Sequence, residues 1–149
     1  MIDSIKLLHV DEEETTNLLA QMLEGEDDRI STRSATTTEA GLEILDNGKI
    51  DCIVSDYDLP NQTGIEFLNT VREEHPNLPF ILYTGSGSEA VASDAISAGV
   101  TDYFQKATGS EQYALMANRI VNAVRAYRSQ QQLGEQNREL RQLPRCAVN

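Results

Sequence analysis

The chain has 149 residues, a length within the range of a single domain that can bury one core. Its formal charge is −12, from 24 acidic and 12 basic residues, which argues against nucleic acid as a direct partner. No apolar run approaches the roughly 20 residues that cross a membrane, so we expect no membrane contact.

The charge is distributed unevenly along the chain. Positions 119–149 hold six arginines and two glutamates, which leaves a charge of −16 on the remainder. Only three of the basic residues are lysines, namely Lys6, Lys49 and Lys106. An ordinary acidic soluble domain can carry this net charge. A surface rich in carboxylates and poor in lysine also resembles proteins of salt-loving archaea, and we expect that origin.

The cysteine content and the first residues bear on the cellular compartment. Two cysteines, Cys52 and Cys146, are too few for a disulfide framework, and Cys52 lies in an apolar run typical of a buried strand. The N-terminus lacks the apolar segment of a secretory signal. We therefore expect a cytoplasmic protein.

Two strand–helix units are predicted first. Ile5–Val10 is an apolar strand that ends at the acidic run 11–14, and a helix with apolar residues at helical spacing follows it. Ile30–Ala35 alternates in the manner of a half-buried strand. Thr37 or Thr38 caps a second helix, which Asn47-Gly48 ends.

The third unit begins with the most informative stretch. Residues 50–55 are apolar and β-branched, as in a strand buried on both faces. Asp56, Asp58 and Pro60 end this strand. Gly64 then opens a third helix that His75-Pro76 ends.

Two further units complete the pattern. Phe80–Thr84 is a fourth strand, and Ser88 caps a helix over residues 89–98. Residues 100–105 form the last strand, which ends at Lys106. Ser110 caps a final helix that runs through Tyr127. Five strands that alternate with five helices indicate a doubly wound α/β fold, a parallel sheet with helices on both faces.

Polar residues stand at the carboxyl ends of four predicted strands, where open α/β sheets place their chemistry. They are Asp11, Glu12, Asp56, Thr84 and Lys106. Three neighbouring carboxylates repel one another, and a divalent cation removes that repulsion. Oxygen ligands without His or Cys favour Mg²⁺. With a hydroxyl and an ammonium group beside them, these residues form a cradle for a phosphoryl group on Asp56.

The motifs in this order resemble the response-regulator receiver domain of two-component signalling. The resemblance covers residues 4 to about 127 and rests on Asp11-Glu12, Ser55-Asp56, Leu59-Pro60 with Gly64, Thr84-Gly85, Ser97-Ala98-Gly99, and Asp102-Tyr103 with Lys106. It implies a flavodoxin-like (βα)5 fold with strand order 2-1-3-4-5. We therefore assign residues 1–127 to a receiver domain and residues 128–149 to a helical extension and tail.

The resemblance implies a role for each matching residue. Asp56 would accept a phosphoryl group, and Thr84 and Lys106 would contact its oxygens. Tyr103 matches the aromatic switch residue that turns inward when Thr84 moves toward the phosphate. The implied Mg²⁺ ligands are Asp11, Glu12, Asp56 and the backbone carbonyl of Asp58.

The resemblance also implies partners. The phosphoryl group would come from a histidine kinase or phosphotransfer protein, and a downstream protein or covalently linked output module would read the response. A homodimer could form through the fourth helix, fifth strand and fifth helix, or through the C-terminal helix. The chain would not be an enzyme beyond its own autophosphorylation and autodephosphorylation.

Two residues depart from the family pattern. Ala107 stands where proline is usual and where the preceding peptide is commonly cis, and this departure bears directly on whether Lys106 reaches the site. Gly85 replaces the commoner alanine. We expect the smaller residue to expose the phosphoryl group to water, and an unchanged dephosphorylation rate in Gly85→Ala would contradict this.

Two other functions fit parts of the sequence. Asp56-Tyr57-Asp58 resembles the nucleophile motif of haloacid-dehalogenase phosphatases, although that motif belongs to a first strand. A pseudo-receiver that docks without carrying phosphate is the alternative among binding proteins. Turnover of a phosphate ester would favour the former, and failure to respond to a phosphodonor with Mg²⁺ would favour the latter.

The sequence after Tyr127 favours a helix but has few apolar positions. Leu133 and Leu140 are seven residues apart, which is only a fragment of a heptad pattern. Two interpretations stay open. The segment is a solvated extension that frays after Gly134, or it is a signalling linker that pairs with a second copy or leads to an output module.

Overall fold

The computed structural model describes residues 4–85, 89–107 and 109–142, with side chains described as far as residue 134. Strands and helices alternate along the whole of this chain. The elements are β1 (Ile5–Val10), α1 (Glu13–Glu26), β2 (Ile30–Ala35), α2 (Thr38–Asn47), β3 (Cys52–Ser55), α3 (Gly64–Glu74), β4 (Phe80–Thr84), α4 (Glu89–Ser97), β5 (Asp102–Gln105) and α5 (Glu111–Gln142).

The five strands form one parallel sheet in the order β2-β1-β3-β4-β5. This confirms the predicted flavodoxin-like fold. The register brings the carboxyl ends of the strands to one edge, since Val10 pairs with Ser55 and Thr84 pairs with Gln105. The residues that follow these strands are therefore neighbours, although they are far apart in sequence.

Each face of the sheet is covered by its own buried cluster. On one face, strand residues such as Leu7 and Val54 pack with α1 and α5 through Leu19, Met116 and Ile120. On the other face, strand residues pack with α2, α3 and α4, and the ring of Phe67 meets that of Phe80 edge-on at 5.7 Å. Strands β3 and β4 are buried along their whole length, which explains their continuous apolar sequence.

Two strands are shorter than predicted. At each start the backbone N–H of Asp51 or Thr101 still donates to a backbone carbonyl of the neighbouring strand, but a side chain takes the next hydrogen bond. The Asp51 carboxylate accepts the Lys6 backbone N–H at 2.8 Å, and the β1–β3 pairing begins only at Cys52. Similarly, the Thr101 hydroxyl accepts the Phe80 N–H at 3.0 Å, and β5 begins at Asp102. The predicted residues lie beside the sheet in both cases.

The helix boundaries follow local signals in the sequence. Thr37 caps α2 by accepting the Ala40 N–H. A reciprocal capping box between Thr63 and Glu66, which the sequence prediction missed, fixes the start of α3. Gly99, two residues after the end of α4, has a positive φ of 89°, a conformation that favours glycine. The predicted cap of α4, Ser88, lies outside the described residues.

Helix α5 continues well past the receiver core. It has 32 residues and runs through Gly134 to Gln142, so the helix does not end at Gly134 as the first of the two open interpretations has it. Within the described segments of the chain, the structure contains no helix with the length and apolarity that a membrane span requires.

Candidate functional site

Asp56 stands at the carboxyl end of the most buried strand, and backbone hydrogen bonds fix its position. Its N–H donates to the Val10 carbonyl at 3.0 Å, which continues the β1–β3 ladder by one residue. Its carboxylate Oδ1 accepts the Tyr57 N–H at 2.8 Å. The residue is 6% exposed, so the carboxylate is largely shielded but still meets solvent.

Lys106 joins the two buried carboxylates of the strand ends. Its Nζ lies 2.9 Å from Oδ2 of Asp11 and 3.5 Å from Oδ2 of Asp56. The Lys106 backbone N–H donates to the Thr84 carbonyl at 2.9 Å, which extends the β4–β5 pairing. The Lys106–Ala107 peptide bond is trans. The lysine therefore reaches the site with alanine in place of the usual proline.

Thr84 completes the group around Asp56. The residue is fully buried at the end of β4, and its hydroxyl, beside the Asp56 carboxylate, acts to lower the pKa of that carboxyl. Asp11, Asp56, Thr84 and Lys106 thus meet at one edge of the sheet. A hydroxyl and an ammonium group directed at one carboxylate can stabilise negative charge that develops there.

The two buried carboxylates differ in how well their charge is stabilised. Burial and the charge of Asp11 raise the pKa of Asp56, against the opposing effects of Lys106 and Thr84. Burial also acts to raise the pKa of Asp11, but the neighbouring His9 and Lys106 and the hydrogen bond from the Glu12 N–H outweigh it and leave the pKa lowered. Asp56 is therefore the more basic carboxylate of the pair.

The chain turns away from Asp56 through a tight contact with α3. The Gly64 N–H donates to the Tyr57 carbonyl at 2.7 Å. A Cβ at Gly64 would lie 2.2 Å from the Asp56 carbonyl oxygen, which is far inside van der Waals contact. The glycine of the recognised motif is thus required by the backbone that carries Asp56.

The remaining predicted metal ligands, Glu12 and Asp58, are exposed. Glu12 is exposed at the N-cap of α1, and Asp58 is exposed in the turn, where it forms a β-bridge with Thr63. Among the described residues, no three His, Cys, Asp or Glu side chains are close enough to form a metal cluster. The donors that do converge, Asp11 and Asp56, are hard oxygen ligands with mutual repulsion, which suits Mg²⁺.

Tyr103 faces the α4 side of the sheet. Its ring packs against the cluster that contains Leu82 and Ala95. Its hydroxyl is buried without a hydrogen-bond partner among the described groups. Gly85, by contrast, has room for a methyl group, since a Cβ would lie 3.9 Å from Cδ of Lys106.

Two residues near the site were not assigned roles from the sequence. His9 is fully buried, with Nε2 3.5 Å from Oδ2 of Asp11, and burial lowers the pKa of its imidazole. Strand alternation places residues 9 and 11 on one side, which was the available signal. Gln112 binds the loop after Lys106, and nothing in a lone helical glutamine indicates such a contact.

The comparisons with known proteins agree with this geometry. The model of the response regulator receiver domain matches residues 7–118. Response regulator protein PilR of Pseudomonas aeruginosa is 30% identical over 101 residues, which make up 68% of this chain and 22% of PilR. The transcriptional regulator NtrC of Klebsiella pneumoniae is 31% identical over 66% of this chain and 21% of NtrC. The chain thus spans about a fifth of these curated relatives.

Solved structures share the fold. NtrX of Brucella abortus, in complex with ADP, has a TM-score of 0.76 and 25% identity over 87% of this chain and 30% of that chain. The beryllofluoride-activated NtrC4 receiver domain dimer has a TM-score of 0.72 and 28% identity over 82% and 98%. A CheY-like receiver domain of Methanospirillum hungatei, at 22% identity over 85% and 98%, has a TM-score of 0.74 and shows the fold alone.

The family model of the receiver domain covers the strands that carry Asp11, Asp56, Thr84 and Lys106. This match favours the receiver over the haloacid-dehalogenase alternative. From the sequence match and the shared sheet order, the chain belongs to the response regulator receiver domain family of two-component signalling.

Proposed function

We propose that this receiver accepts a phosphoryl group on the Asp56 carboxylate. The observation that carries the proposal is the convergence of the Thr84 hydroxyl and the Lys106 ammonium group on that carboxylate. A carboxylate oxygen attacks phosphorus, the bond from phosphorus to the donor nitrogen or oxygen breaks, and the donor leaves with the electron pair. Thr84 and Lys106 donate hydrogen bonds to the phosphoryl oxygens as charge accumulates on them.

Mg²⁺ is the cofactor of this proposal. Asp11, Glu12 and Asp56, with the backbone carbonyl of Asp58, would hold the ion. When bound, Mg²⁺ supplies positive charge that offsets the repulsion between the carboxylates and the phosphoryl group. The basic character of Asp56 supports its role as the nucleophile.

The direct experiment is mass spectrometry of the intact protein after incubation with acetyl phosphate and MgCl₂. The wild-type protein gains one phosphate, and Asp56→Asn gains none. Asp58→Asn is the matched control, because it changes an exposed carboxylate two residues away and keeps the backbone carbonyl. A wild-type protein that never gains phosphate would favour the pseudo-receiver, which signals by docking alone.

The phosphoryl donor in this proposal is a histidine kinase or phosphotransfer protein that docks beside the site. A cleft of about 300 Å³ opens next to Lys106, between Leu18 of α1 and Tyr113 of α5. Leu18 is 50% exposed, so a partner can cover it. We expect Leu18→Ala to slow transfer from a phosphorylated partner protein and to leave phosphorylation by acetyl phosphate unchanged.

The response in this proposal is a changed binding face on α4, β5 and α5. A shift of the Tyr103 ring, which packs on this side of the sheet, as Thr84 engages the phosphate would change this face, where Ile96 and Leu115 are 71% and 48% exposed. The beryllofluoride-activated receiver of NtrC4 is a dimer, which supports a homodimer here. Sedimentation with beryllofluoride and Mg²⁺ tests it, and the dimer should be lost in Ile96→Glu. An output module attached through α5 is the alternative reader.

The acidic, lysine-poor composition supports an origin in a salt-loving archaeon. Screening of the repulsion between surface carboxylates should then raise the melting temperature steadily into molar KCl. A melting temperature that stays constant above moderate ionic strength would indicate an ordinary acidic domain.

A further inference from the structure

Gln112, in the first turn of α5, uses its entire side-chain amide to bind the segment that follows Lys106 and the hydroxyl of Tyr83. Its Oε1 accepts the Ala107 N–H at 3.3 Å and the Tyr83 hydroxyl at 2.9 Å. Its Nε2 donates to the Ala107 carbonyl and, at 3.0 Å, to the Gly109 carbonyl. A primary amide has two donors and two lone pairs, so all four positions are filled.

These contacts reach Lys106 by two separate routes. Along the backbone, Lys106 is held on one side by the Thr84 carbonyl at 2.9 Å and on the other through Ala107 by Gln112. Through the side chains, the Tyr83 hydroxyl is bound to Gln112, and its ring lies 5.5 Å below the Lys106 ammonium group.

The first route depends on the residue at position 107. Proline has no backbone N–H, so a chain with proline there could not form the Ala107–Gln112 hydrogen bond. In this chain Ala107 has a backbone N–H, and Oε1 of Gln112 accepts a hydrogen bond from it. Ala107, the residue that departs from the family pattern, is thus hydrogen-bonded to Gln112.

We propose that Gln112 is a positioning residue, which fixes Lys106 against Asp11 and Asp56 in place of the usual proline. The inference rests on the proposed phosphorylation of Asp56 for its kinetic consequence, but its structural consequence is independent of phosphorylation. Without Gln112, the backbone at Ala107 and the ring of Tyr83 lose their common anchor, and the Lys106 ammonium group samples a wider volume.

The variant is Gln112→Met, which keeps the length and helix preference of the side chain and removes the amide. Asn118→Ala, an exposed position on the same helix, is the matched control. Tyr83→Phe removes one route and keeps the ring. Thermal unfolding of each variant establishes that it is folded, and if Gln112→Met is not, Tyr83→Phe takes its place in every measurement.

The kinetic measurement is the phosphorylation rate with acetyl phosphate at saturating MgCl₂. Gln112→Met should be about tenfold to a hundredfold slower, as expected for a misplaced catalytic group, and the loss should be in the rate at saturating donor. In a Lys106→Met background the same change should have almost no effect. An equal loss in both backgrounds, or a rate equal to that of Asn118→Ala, would overturn the proposal.

The second measurement needs no phosphoryl transfer. We expect hydrogen exchange at the Ala107 amide to quicken in Gln112→Met, and the NMR signal of the Lys106 ammonium group to broaden. Unchanged exchange and an unchanged ammonium signal would refute the positioning role even if the wild-type protein takes no phosphate. A wild-type protein that takes no phosphate would contradict the proposed function only. The exchange and ammonium measurements would still decide whether Gln112 positions Lys106.

Discussion

Gly64 shows how a single residue sets the geometry of the site. The Asp56 carbonyl approaches so closely that any Cβ at this position must displace backbone, and the Leu82 side chain is only 3.0 Å away. The contact explains in steric terms why glycine stands eight residues after the phosphoacceptor candidate. A substitution here disturbs both the start of α3 and the end of β3.

We expect Gly64→Ala to lower the free energy of unfolding by about 1–3 kcal/mol, the usual range for overpacking a buried position. Gly25→Ala is the matched control, because Gly25 lies in α1 with no atom within 4 Å of its added Cβ. The control should be neutral or stabilise by up to about 1 kcal/mol. Urea denaturation of both variants measures this, and equal stabilities would show that the backbone at Asp56 yields easily.

The charge of Asp56 should cost stability in the absence of metal. Because burial and the charge of Asp11 raise the pKa of Asp56 in the folded protein, ionisation favours the unfolded state as the pH rises through that pKa. Asp56→Asn removes this charge and should raise the melting temperature at neutral pH by a few degrees. The exposed Asp28→Asn should leave it unchanged. A lower melting temperature in Asp56→Asn would mean that the ion pair with Lys106 outweighs the repulsion.

At the scale of elements, contacts of Arg128 in α5 attach this helix to the residues before β1 and β3. Nη2 of Arg128 donates to the Ser4 carbonyl at 2.6 Å and lies 3.3 Å from Oδ2 of Asp51. The same carboxylate oxygen accepts the Lys6 N–H. The neighbouring Tyr127 packs against the cluster on the opposite face of the sheet. The start of the helical extension is thus attached to the residues that immediately precede β1 and β3.

Arg128→Ala should lower the free energy of unfolding by about 1–2 kcal/mol, because the buried Asp51 loses its charged partner. Since Arg128 is about one third exposed, at 31%, solvent screening limits the loss. Arg125→Ala changes the exposed arginine one turn earlier and should cost less than about 0.5 kcal/mol. Chemical denaturation compares the two. Equal losses in the two variants would show that the contacts of Arg128 with Ser4 and Asp51 add no stability beyond that of any arginine on α5.

Those elements also show what sequence reasoning could and could not provide. Hydrophobic periodicity, helix-capping residues and Gly or Pro breakers predict every strand and helix, because each of these signals depends only on residues that are close in sequence. The lost ends of β3 and β5 depend on Asp51 and Thr101, whose side chains bind residues of neighbouring strands. The sequence left open whether α5 continues past Gly134, because one glycine is only a weak helix breaker.

The candidate site was predictable for a different reason. Parallel strands bring their carboxyl ends to one edge, so Asp11, Asp56, Thr84 and Lys106 could be grouped before their distances were known. The contacts of Gln112 and His9 depend on how α5 and β1 lie against those residues. Such side-chain contacts across elements have no local pattern, and only the folded chain reveals them.

For the molecule as a whole, the acidic charge creates a choice between diffuse and specific cation binding. A body with a charge of −16 before residue 119 attracts any divalent cation to its surface. At the strand ends, however, Asp11 and Asp56 are buried around Lys106, and under the proposed function a bound cation would relieve the repulsion between them. A melting experiment at constant ionic strength separates these two kinds of binding.

MgCl₂ should raise the melting temperature of the wild-type protein progressively, since binding to the folded state alone stabilises it by RT ln(1 + [Mg²⁺]/Kd). Asp11→Asn should abolish this increase by removing one of the two buried carboxylates, whereas Asp28→Asn, which removes one surface charge, should retain it. NaCl at equal ionic strength corrects for screening. If Asp11→Asn responds to MgCl₂ as the wild-type protein does, the stabilisation comes from the acidic surface and the strand-end carboxylates do not hold the ion.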